Sequence, residues 1–259
     1  MAKLAVIILT KNEEANIAEA IKSASFADEI IIIDSGSTDK TVEIAQEHGG
    51  KIVIHPMDET GFAGQRNFAL TQTGADWVFY LDADERITPE AAKRIKNIVA
   101  TAKKAVYRVE RKNIVFGKLM KYGGHRADYV SRLMPGTGVE WHGLVHEGVR
   151  ADLPIKEIKN CLLHYTYITW EQYFNKFNKY TTLAAKEMAA RGKRVSNTSI
   201  ISHTIGAFVK NYFLKQGFRD GFLGLVMSFM ATAYVMTKYM KLKNIYRLQG
   251  EQEDKWQKK

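Results

Sequence analysis

The stretch Trp77-Val78-Phe79-Tyr80-Leu81-Asp82-Ala83-Asp84-Glu85 decides the fold, because five bulky apolar residues run directly into a cluster of acids. So short and β-rich an apolar run is typical of a strand buried on both faces. The carboxyl ends of such strands bind ligands in open α/β sheets. Adjacent acids repel one another, so we expect a cation beside them. An extended chain points Asp82 and Asp84 to the same side, which suits Mg²⁺ or Mn²⁺ carrying phosphate oxygens.

The composition describes a chain that can build a large core. Of its 259 residues, 46% are hydrophobic and 25% are charged, which excludes an intrinsically disordered chain. The single cysteine, Cys161, excludes a disulfide framework and a cysteine-based metal site, and it fits a reducing cytoplasm. The first apolar run is too short for a signal peptide, so we expect a β-strand there.

Charge is unevenly distributed along the chain. Residues 1–100 hold 10 Lys+Arg against 16 Asp+Glu, a net charge of −6, whereas residues 101–259 hold 28 against 12, a net charge of +16. The acidic part fits a metal or nucleotide site. The basic part indicates an anionic partner.

The first hundred residues alternate between strand and helix patterns. Strands are predicted over 4–9, 29–33 and 51–54 and in the opening stretch, with Asn12 capping the first helix. Residues 61–70 are expected to form a loop that leads into a short helix, with Arg66 near its start. Thr88-Pro89-Glu90 begins a fourth helix. This alternation predicts an α/β fold with a mostly parallel sheet and helices on both faces.

The pattern changes after residue 105. Short strand-like pieces over 105–110, 113–116, 129–134 and 162–165 predict a mixed extension of the sheet with active-site loops. From Thr169, which begins a capping-box pattern with Gln172, the chain is helical. We therefore divide the chain into an α/β domain over 1–167 and a basic helical region over 168–259.

Residues 221–237 form an uncharged segment of 17 residues, which is the lower limit for a membrane-spanning helix. Three interpretations stay open: a transmembrane helix, a partly embedded or interfacial helix, and a core or oligomer contact. The tail after this segment is basic, as expected beside anionic lipid headgroups. Its cations are Lys238, Lys241, Lys243 and Arg247.

Four motifs follow the predicted strands in order. They are Ile8-Leu9-Thr10-Lys11-Asn12-Glu13, Asp34-Ser35-Gly36-Ser37-Thr38-Asp39, Gly64-Gln65-Arg66-Asn67-Phe68-Ala69 and Leu81-Asp82-Ala83-Asp84-Glu85. Together they resemble the family 2 glycosyltransferases, whose GT-A fold is a Rossmann-like mixed sheet flanked by helices that binds nucleotide-diphospho-sugars. Residues 141–147 and the basic, aromatic C-terminal helices resemble a subgroup, the bacterial WaaE-like lipopolysaccharide-core glucosyltransferases. The resemblance implies an inverting, metal-dependent hexosyltransferase with Mg²⁺ or Mn²⁺ as its cofactor.

The resemblance also implies a donor site. Thr10, Asn12 and Glu13 would line the nucleoside pocket. Asp39 would accept a hydrogen bond from the base, and the alternative, a helix cap, is compatible with that role. Asp34 would accept from the ribose hydroxyls.

Metal and phosphate ligands are implied at the acid cluster. Asp84 would bind the metal directly, and Asp82 would contact the sugar or ribose and reach the metal through water. His164 would be a third metal ligand, or else a core histidine. Arg66 would reach the donor phosphates or sugar, with a surface salt bridge as the alternative.

The general base is expected in the segment 140–147. Our choice is Glu147, with His146 beside it and Glu140 as the reserve. A solvated loop acid is the alternative for Glu147, and a packed residue is the alternative for His146. Trp141 would stack on a sugar face or belong to the core.

These features predict partners and location. We expect transfer of glucose from UDP-glucose to a lipid-linked or lipopolysaccharide-core acceptor, by an enzyme peripheral on the inner face of the cytoplasmic membrane and attracted to its anionic surface. A homodimer through the C-terminal helices stays open. Nucleic acid is not expected, because the apolar run 221–237 has no place in a nucleic-acid groove. The alternatives are a non-catalytic membrane-bound adaptor and a nucleotidyltransferase, which the absence of glycine in the loop after the first strand disfavours.

Overall fold

A computed structural model describes residues 1–143 and 147–257. The chain forms two compact units, one from Met1–Asn113 with Asp128–Thr166, and one from Ile114–Ala127 with the chain from Tyr167 onward. The sequence predicted a division at residue 167. It did not predict that residues 114–127 belong with the helical unit.

Most strands lie in one mixed sheet, which has nine strands among the described residues. Its order is β3-β2-β1-β4-β8-β6-β11-β5, with β7 paired to β6, and β9 and β10 form a separate hairpin. Strands β1 to β4 are parallel, and β8 pairs antiparallel to β4 and to β6. The strands are β1 (Leu4–Thr10), β2 (Glu29–Asp34), β3 (Lys51–Ile54), β4 (Trp77–Asp82), β5 (Glu85–Ile87), β6 (Val106–Val115), β7 (Lys118–Leu119), β8 (Asp128–Pro135), β9 (Glu140–His142), β10 (Gly148–Arg150) and β11 (Ile155–Tyr167).

Helices flank this sheet and form most of the second unit. The first unit has α1 (Ile17–Ala24), α2 (Thr41–Glu47), α3 (Gly61–Leu70) and α4 (Pro89–Thr101). The second has α5 (Trp170–Ala190), α6 (Asn197–Phe208) and α7 (Gly221–Gln257), with a π-helical turn over Val209–Leu214 and 3₁₀ turns over Gly123–His125 and Gly217–Asp220.

Strand β4 is buried on both faces, as predicted. Phe79 and Tyr80 are fully buried on opposite sides of the sheet. Phe79 packs in a cluster that includes Ile17 of α1 and Ile95 of α4, whereas Tyr80 packs in a second cluster with Ala63 of α3. Burying side chains of this size contributes roughly 1.5–3 kcal/mol each, so β4 ties the two helical layers to one sheet.

Several local predictions were wrong. Asn12 does not cap α1, because it has a left-handed backbone with φ of 54° and the helix begins at Ile17, after Asn16. Residues 61–70 are helical throughout, so Arg66 lies inside α3. The strands predicted over 105–110 and 113–116 are one strand, β6, and the strand predicted over 162–165 is the end of the longer β11.

The second unit has its own apolar core. Tyr173 of α5 packs with Met120 and with Met227 of α7, and farther along Ala185 packs with Ile200 and Leu242. One helical stretch in the described part of the chain, Gly217–Gln249, is long and apolar enough to cross a membrane. Only 22% of its most apolar window is buried.

Candidate active site

Hydrogen bonds between backbone amides and side chains join the chain after β1 to the chain after β2. Asn12 N–H donates to Ser37 Oγ and Thr38 N–H donates to Asn12 Oδ1, each at 2.8 Å. Glu13 N–H donates to Thr41 Oγ1 at 2.8 Å. Asn12 itself is exposed, whereas Thr10 is buried, with a hydroxyl that has no hydrogen-bond partner among the described residues. The predicted nucleoside-pocket residues therefore lie together on a preformed pair of loops.

Asp34 and Asp39 hold these loops in shape. Asp34 is almost fully buried, and one of its carboxylate oxygens accepts from Gly36 N–H at 2.9 Å and from Ser37 N–H at 2.8 Å. Asp34 therefore shapes its own loop, and its contact with a ribose stays a prediction. Asp39 accepts from the Thr41 and Glu14 amides, at 3.0 and 3.2 Å, but Lys40 occupies the N-cap position of α2, so Asp39 joins the two loops beside the start of α2 without being its cap. Burial raises the pKa of Asp39, but these hydrogen bonds outweigh burial and lower it.

The chain turns at Ala83-Asp84, between β4 and β5. The prediction that Asp82 and Asp84 share one side of an extended strand is therefore wrong, because the strand ends at Asp82. Arg86 braces the turn by donating to Ala83 O at 2.8 Å and to Asn16 O at 3.0 Å. The two aspartates consequently have different surroundings.

Asp82 lies among arginines. One carboxylate oxygen is 3.2 Å from Arg66 Nη2, and the other accepts a hydrogen bond from Arg132. Burial raises the pKa of Asp82, but the charges of Arg132, Arg66 and Arg111 outweigh burial and hold that pKa well below its usual range. Asp82 is therefore a carboxylate at neutral pH. Because both of its oxygens contact guanidinium groups, the geometry does not favour it as a metal ligand.

Glu85 pairs with two of these arginines, Arg132 and Arg111, inside the sheet. Its side chain is fully buried and lies 2.7 Å from Arg132 Nη2 and 3.2 Å from Arg111 Nη1. A second oxygen accepts from Asp82 N–H at 3.1 Å. Asp128 holds the outer side of Arg111 at 2.8 Å. The buried charges are thus paired, which is the condition under which buried charges are tolerated.

Asp84 and His164 face each other on the other side of the turn. Asp84 Oδ2 is 3.3 Å from His164 Nε2, and each side chain is 15% exposed. His164 Nδ1 is 2.7 Å from Asn113 Oδ1, which fixes the orientation of the ring. Residues 1–143 and 147–257 contain no group of three or more His, Cys, Asp and Glu side chains arranged to hold a metal. This pair is the part of the predicted metal site that the fold brings together.

Glu147 is paired with Arg66, whose guanidinium it contacts directly. Arg66 is nearly buried and lies over the Trp141 ring, with Cζ 4.7 Å from the ring centroid. Trp141 is also buried, edge-on to Tyr80, so of its two predicted roles the structure supports the core role. Arg66 is therefore not a surface salt bridge.

Glu140, the reserve for the base, is not at this cluster. Glu140 is 65% exposed, and Arg150 is its ion-pair partner at 3.9 Å. His146 lies outside the described residues. Asn67 attaches the Trp141 segment to α3, because its side-chain amide exchanges two 2.8 Å hydrogen bonds with the Trp141 backbone.

Sequence reasoning missed Arg111, Arg132, Glu85 and Asn67 as parts of the site. Arg132 could have been found, because a strand pattern that places a single arginine among apolar residues in 130–134 requires a buried anion. Glu85 was quoted as the third acid of the cluster, and its complete burial had no signal in the sequence.

Comparison with known proteins shows the family to which the chain belongs. Residues 5–150 match the model of the glycosyl transferase family 2. An uncharacterized glycosyltransferase of Rickettsia typhi is 31% identical over 96% of this chain and 88% of its own. The lipopolysaccharide core biosynthesis glycosyltransferase LpsC of Rhizobium meliloti is 28% identical over 92% of this chain and 91% of its own.

One similar solved structure is the glucosyl-3-phosphoglycerate synthase of Mycobacterium tuberculosis in complex with Mn²⁺, UDP and glucosyl-3-phosphoglycerate. It is 25% identical, has a TM-score of 0.38, and the alignment covers 44% of each chain. The family match extends over more than half of this chain, and the mixed sheet flanked by helices is the GT-A arrangement. The chain therefore belongs to glycosyl transferase family 2 and is a glycosyltransferase.

Proposed function

We propose that this glycosyltransferase is metal-dependent and inverting, and that it moves glucose from UDP-glucose to a lipid-linked or lipopolysaccharide-core acceptor. The observation that carries this proposal is the Asp84–His164 pair at 3.3 Å, beside the end of β4. The similarity to a lipopolysaccharide core glycosyltransferase supports the class of acceptor.

Asp84 and His164 would hold the Mg²⁺ or Mn²⁺. Such ions are commonly bound by one or two protein side chains with substrate phosphates completing the coordination, so a two-residue site fits. With a proton on Nδ1, His164 would donate a hydrogen bond to Asn113 Oδ1, 2.7 Å away, and Nε2 would be available to the metal. The bound ion would stabilise the diphosphate leaving group as a Lewis acid.

Arg66 would link donor binding to the base. Its guanidinium is shared by Asp82 and Glu147. A donor phosphate is a stronger bidentate partner for arginine than a single carboxylate contact, so it would compete with Glu147 for Arg66. Glu147 would then be free to accept the proton of the acceptor hydroxyl. The acceptor oxygen forms a bond to the anomeric carbon, the bond from that carbon to the phosphate oxygen breaks, and UDP leaves.

Asn12 and Glu13 would contact the nucleoside on these two loops, and Asp39 would accept a hydrogen bond from the base. The acceptor would be presented at the inner face of the cytoplasmic membrane. The basic C-terminal half and the poorly buried apolar stretch Gly217–Gln249 support a peripheral position on an anionic surface.

The test is release of UDP from UDP-glucose by the purified chain with Mn²⁺, with Mg²⁺ and with a chelator. We expect turnover with either metal, none with the chelator, and a loss of at least about 100-fold in Asp84→Asn, as for removal of a group that stabilises the transition state. Asp152→Asn, at an exposed carboxylate of the same unit, is the matched control and should keep full activity. Full turnover of Asp84→Asn at saturating metal would overturn the assignment. No turnover with any UDP- or GDP-sugar would favour the adaptor.

A further inference from the structure

Six exposed apolar side chains cluster in sequence around the turn that joins α6 to α7. We call this set the apolar tip: Ile205, Val209, Phe213, Leu214, Phe218 and Phe222. Leu214 is 75% exposed and Phe222 is 81% exposed. So many exposed, large apolar side chains within residues 205–222 are typical of an interaction surface in a folded protein.

Close backbone packing and buried hydrogen bonds fix the turn that carries the apolar tip. A Cβ on Gly224 would lie 2.0 Å from the Gly217 carbonyl oxygen, so the backbone approach there requires glycine. The buried Asp220 carboxylate accepts from Tyr122 N–H at 2.8 Å and from Lys121 N–H at 3.2 Å. The exposed side chains are therefore presented by a fixed turn, and their exposure is a property of the fold.

Cationic residues flank the apolar tip along the sequence. Residues 188–250 contain 10 Lys+Arg and a single acid, Asp220, which is buried. Lys210, Lys215 and Arg219 lie within the segment that carries the apolar tip. Burial and the charges of Lys210 and Arg126 hold the pKa of Lys215 below its usual range. These cations repel one another, and an anion placed among them would relieve that repulsion.

Two other occupants fit less well. A second copy of this chain would bring the same cations together, which is unfavourable without intervening acids. A membrane-spanning segment 221–237 would bring α5 into lipid with it, because Tyr173 of α5 packs on Met227 of α7. α5 has charged residues along its length, and Lys241 Nζ of α7 donates to its Asn178 Oδ1 at 2.7 Å.

We propose that the apolar tip inserts into the interfacial layer of a membrane rich in anionic lipids, with Lys210, Lys215 and Arg219 against the lipid phosphates. Apolar side chains with flanking cations are the features of proteins that lie in this layer. The inference rests on the proposed function in one respect: a lipid-anchored acceptor would require the enzyme to bind at a membrane. Release of UDP from UDP-glucose in solution tests the donor chemistry separately.

The first test is sedimentation of the full chain with vesicles of phosphatidylcholine, with and without phosphatidylglycerol. We expect pelleting with the anionic vesicles, and about tenfold weaker binding for each residue removed in Leu214→Ser and Phe222→Ser. The matched control is Ile54→Ser with Ile155→Ser, which removes two exposed apolar side chains from the first unit and should leave binding unchanged.

The cations are tested in the same way. Lys210→Gln and Lys215→Gln should each weaken binding to anionic vesicles by about fivefold, because each juxtamembrane cation contributes a similar electrostatic attraction. Lys93→Gln with Lys96→Gln, on the exposed side of α4, is the control and should have a much smaller effect.

A dye at the apolar tip identifies the surface that inserts. The native Cys161 is fully buried, and burial raises its thiol pKa to about 12, so a polarity-sensitive dye will react at Phe222→Cys. Anionic vesicles should shift the dye emission to the blue. Pelleting without that shift, no pelleting at low salt, or a dimer that the Leu214→Ser and Phe222→Ser variants dissociate would each overturn the proposal.

Discussion

Arg132→Met removes the cation that two carboxylates share inside the first unit. Arg132 is 4% exposed, and its Nη2 lies 2.7 Å from the fully buried Glu85 and also contacts Asp82. Methionine keeps much of the apolar volume of the side chain, so the substitution mainly removes charge and hydrogen bonds. It therefore isolates the electrostatic contribution of Arg132 to folding.

The expected cost follows from what remains around Glu85. Removing one partner of a buried pair typically costs about 3–5 kcal/mol, because the other charge stays buried without compensation. Arg111 still lies 3.2 Å from Glu85, so we expect the lower end, about 3 kcal/mol. Asp82 is 32% exposed, so water compensates for most of the interaction that Asp82 loses with Arg132.

Hydrogen exchange of β4 and β8 measures this cost within one unit. It avoids the assumption that a chain of two units unfolds in a single step. A loss of about 3 kcal/mol corresponds to roughly 100-fold faster exchange of the most protected amides. Arg150→Met is the matched control, because Arg150 is 74% exposed and 3.9 Å from Glu140, and should change the opening free energy by less than about 0.5 kcal/mol.

A double substitution tests whether the buried Glu85 carboxylate depends on Arg132. Arg132→Met with Glu85→Leu removes the uncompensated carboxylate together with its partner, and should recover part of the lost protection. Unchanged exchange in Arg132→Met, or a double variant that loses the sum of the two single effects, would refute the idea that Glu85 depends on Arg132.

Three further outcomes follow from the site. His164→Ala should weaken Mn²⁺ binding by 10- to 100-fold in calorimetry, because the imidazole is a proposed ligand at the edge of the sheet. The free energy of unfolding of the first unit should stay unchanged. Asn67→Ala should leave the Trp141 backbone groups without their two hydrogen bonds, at a cost of about 1–3 kcal/mol, and speed exchange of the Trp141 amide. The folded-state pKa of Asp82 is depressed, so its contribution to stability is present above about pH 4 and is lost as pH falls further; acid titration of Arg132→Met should show a smaller loss.

The parallel half of the sheet could be predicted because its strands carry the strongest signal in the sequence. All seven residues of β1 are buried, and β4 is buried up to its last residue, so both consist almost entirely of apolar residues. Turn-forming residues follow each of these strands and place the loop motifs at one edge. Only short pieces of the long strands β6 and β11 could be predicted, because half-exposed strands with scattered charges resemble loops in the sequence.

The site could be predicted only where a residue acts locally. Asp39 accepts from the Thr41 amide at the start of the helix that follows it, a local contact that its position and type suggested. Contacts between distant elements had no comparable signal, because nothing in the sequence places β8 beside β4. The Arg132–Asp82 contact joins residues 50 positions apart, and the Asn67–Trp141 pair joins residues 74 apart.

The sequence predicted one cation beside the acid cluster, but the acids of this cluster have two different kinds of cationic partner to consider: arginines and a metal ion. Guanidinium groups from α3 and β8 already neutralise Asp82, and those of β8 and β6 neutralise Glu85. Their positive charge would repel a divalent ion from Asp82, whereas Asp84 lies past the turn and faces the imidazole of His164. We therefore expect the two aspartates of the Asp-Ala-Asp sequence to act differently. Asp82 would hold Arg66 in place for the donor phosphates, and Asp84 would carry the metal.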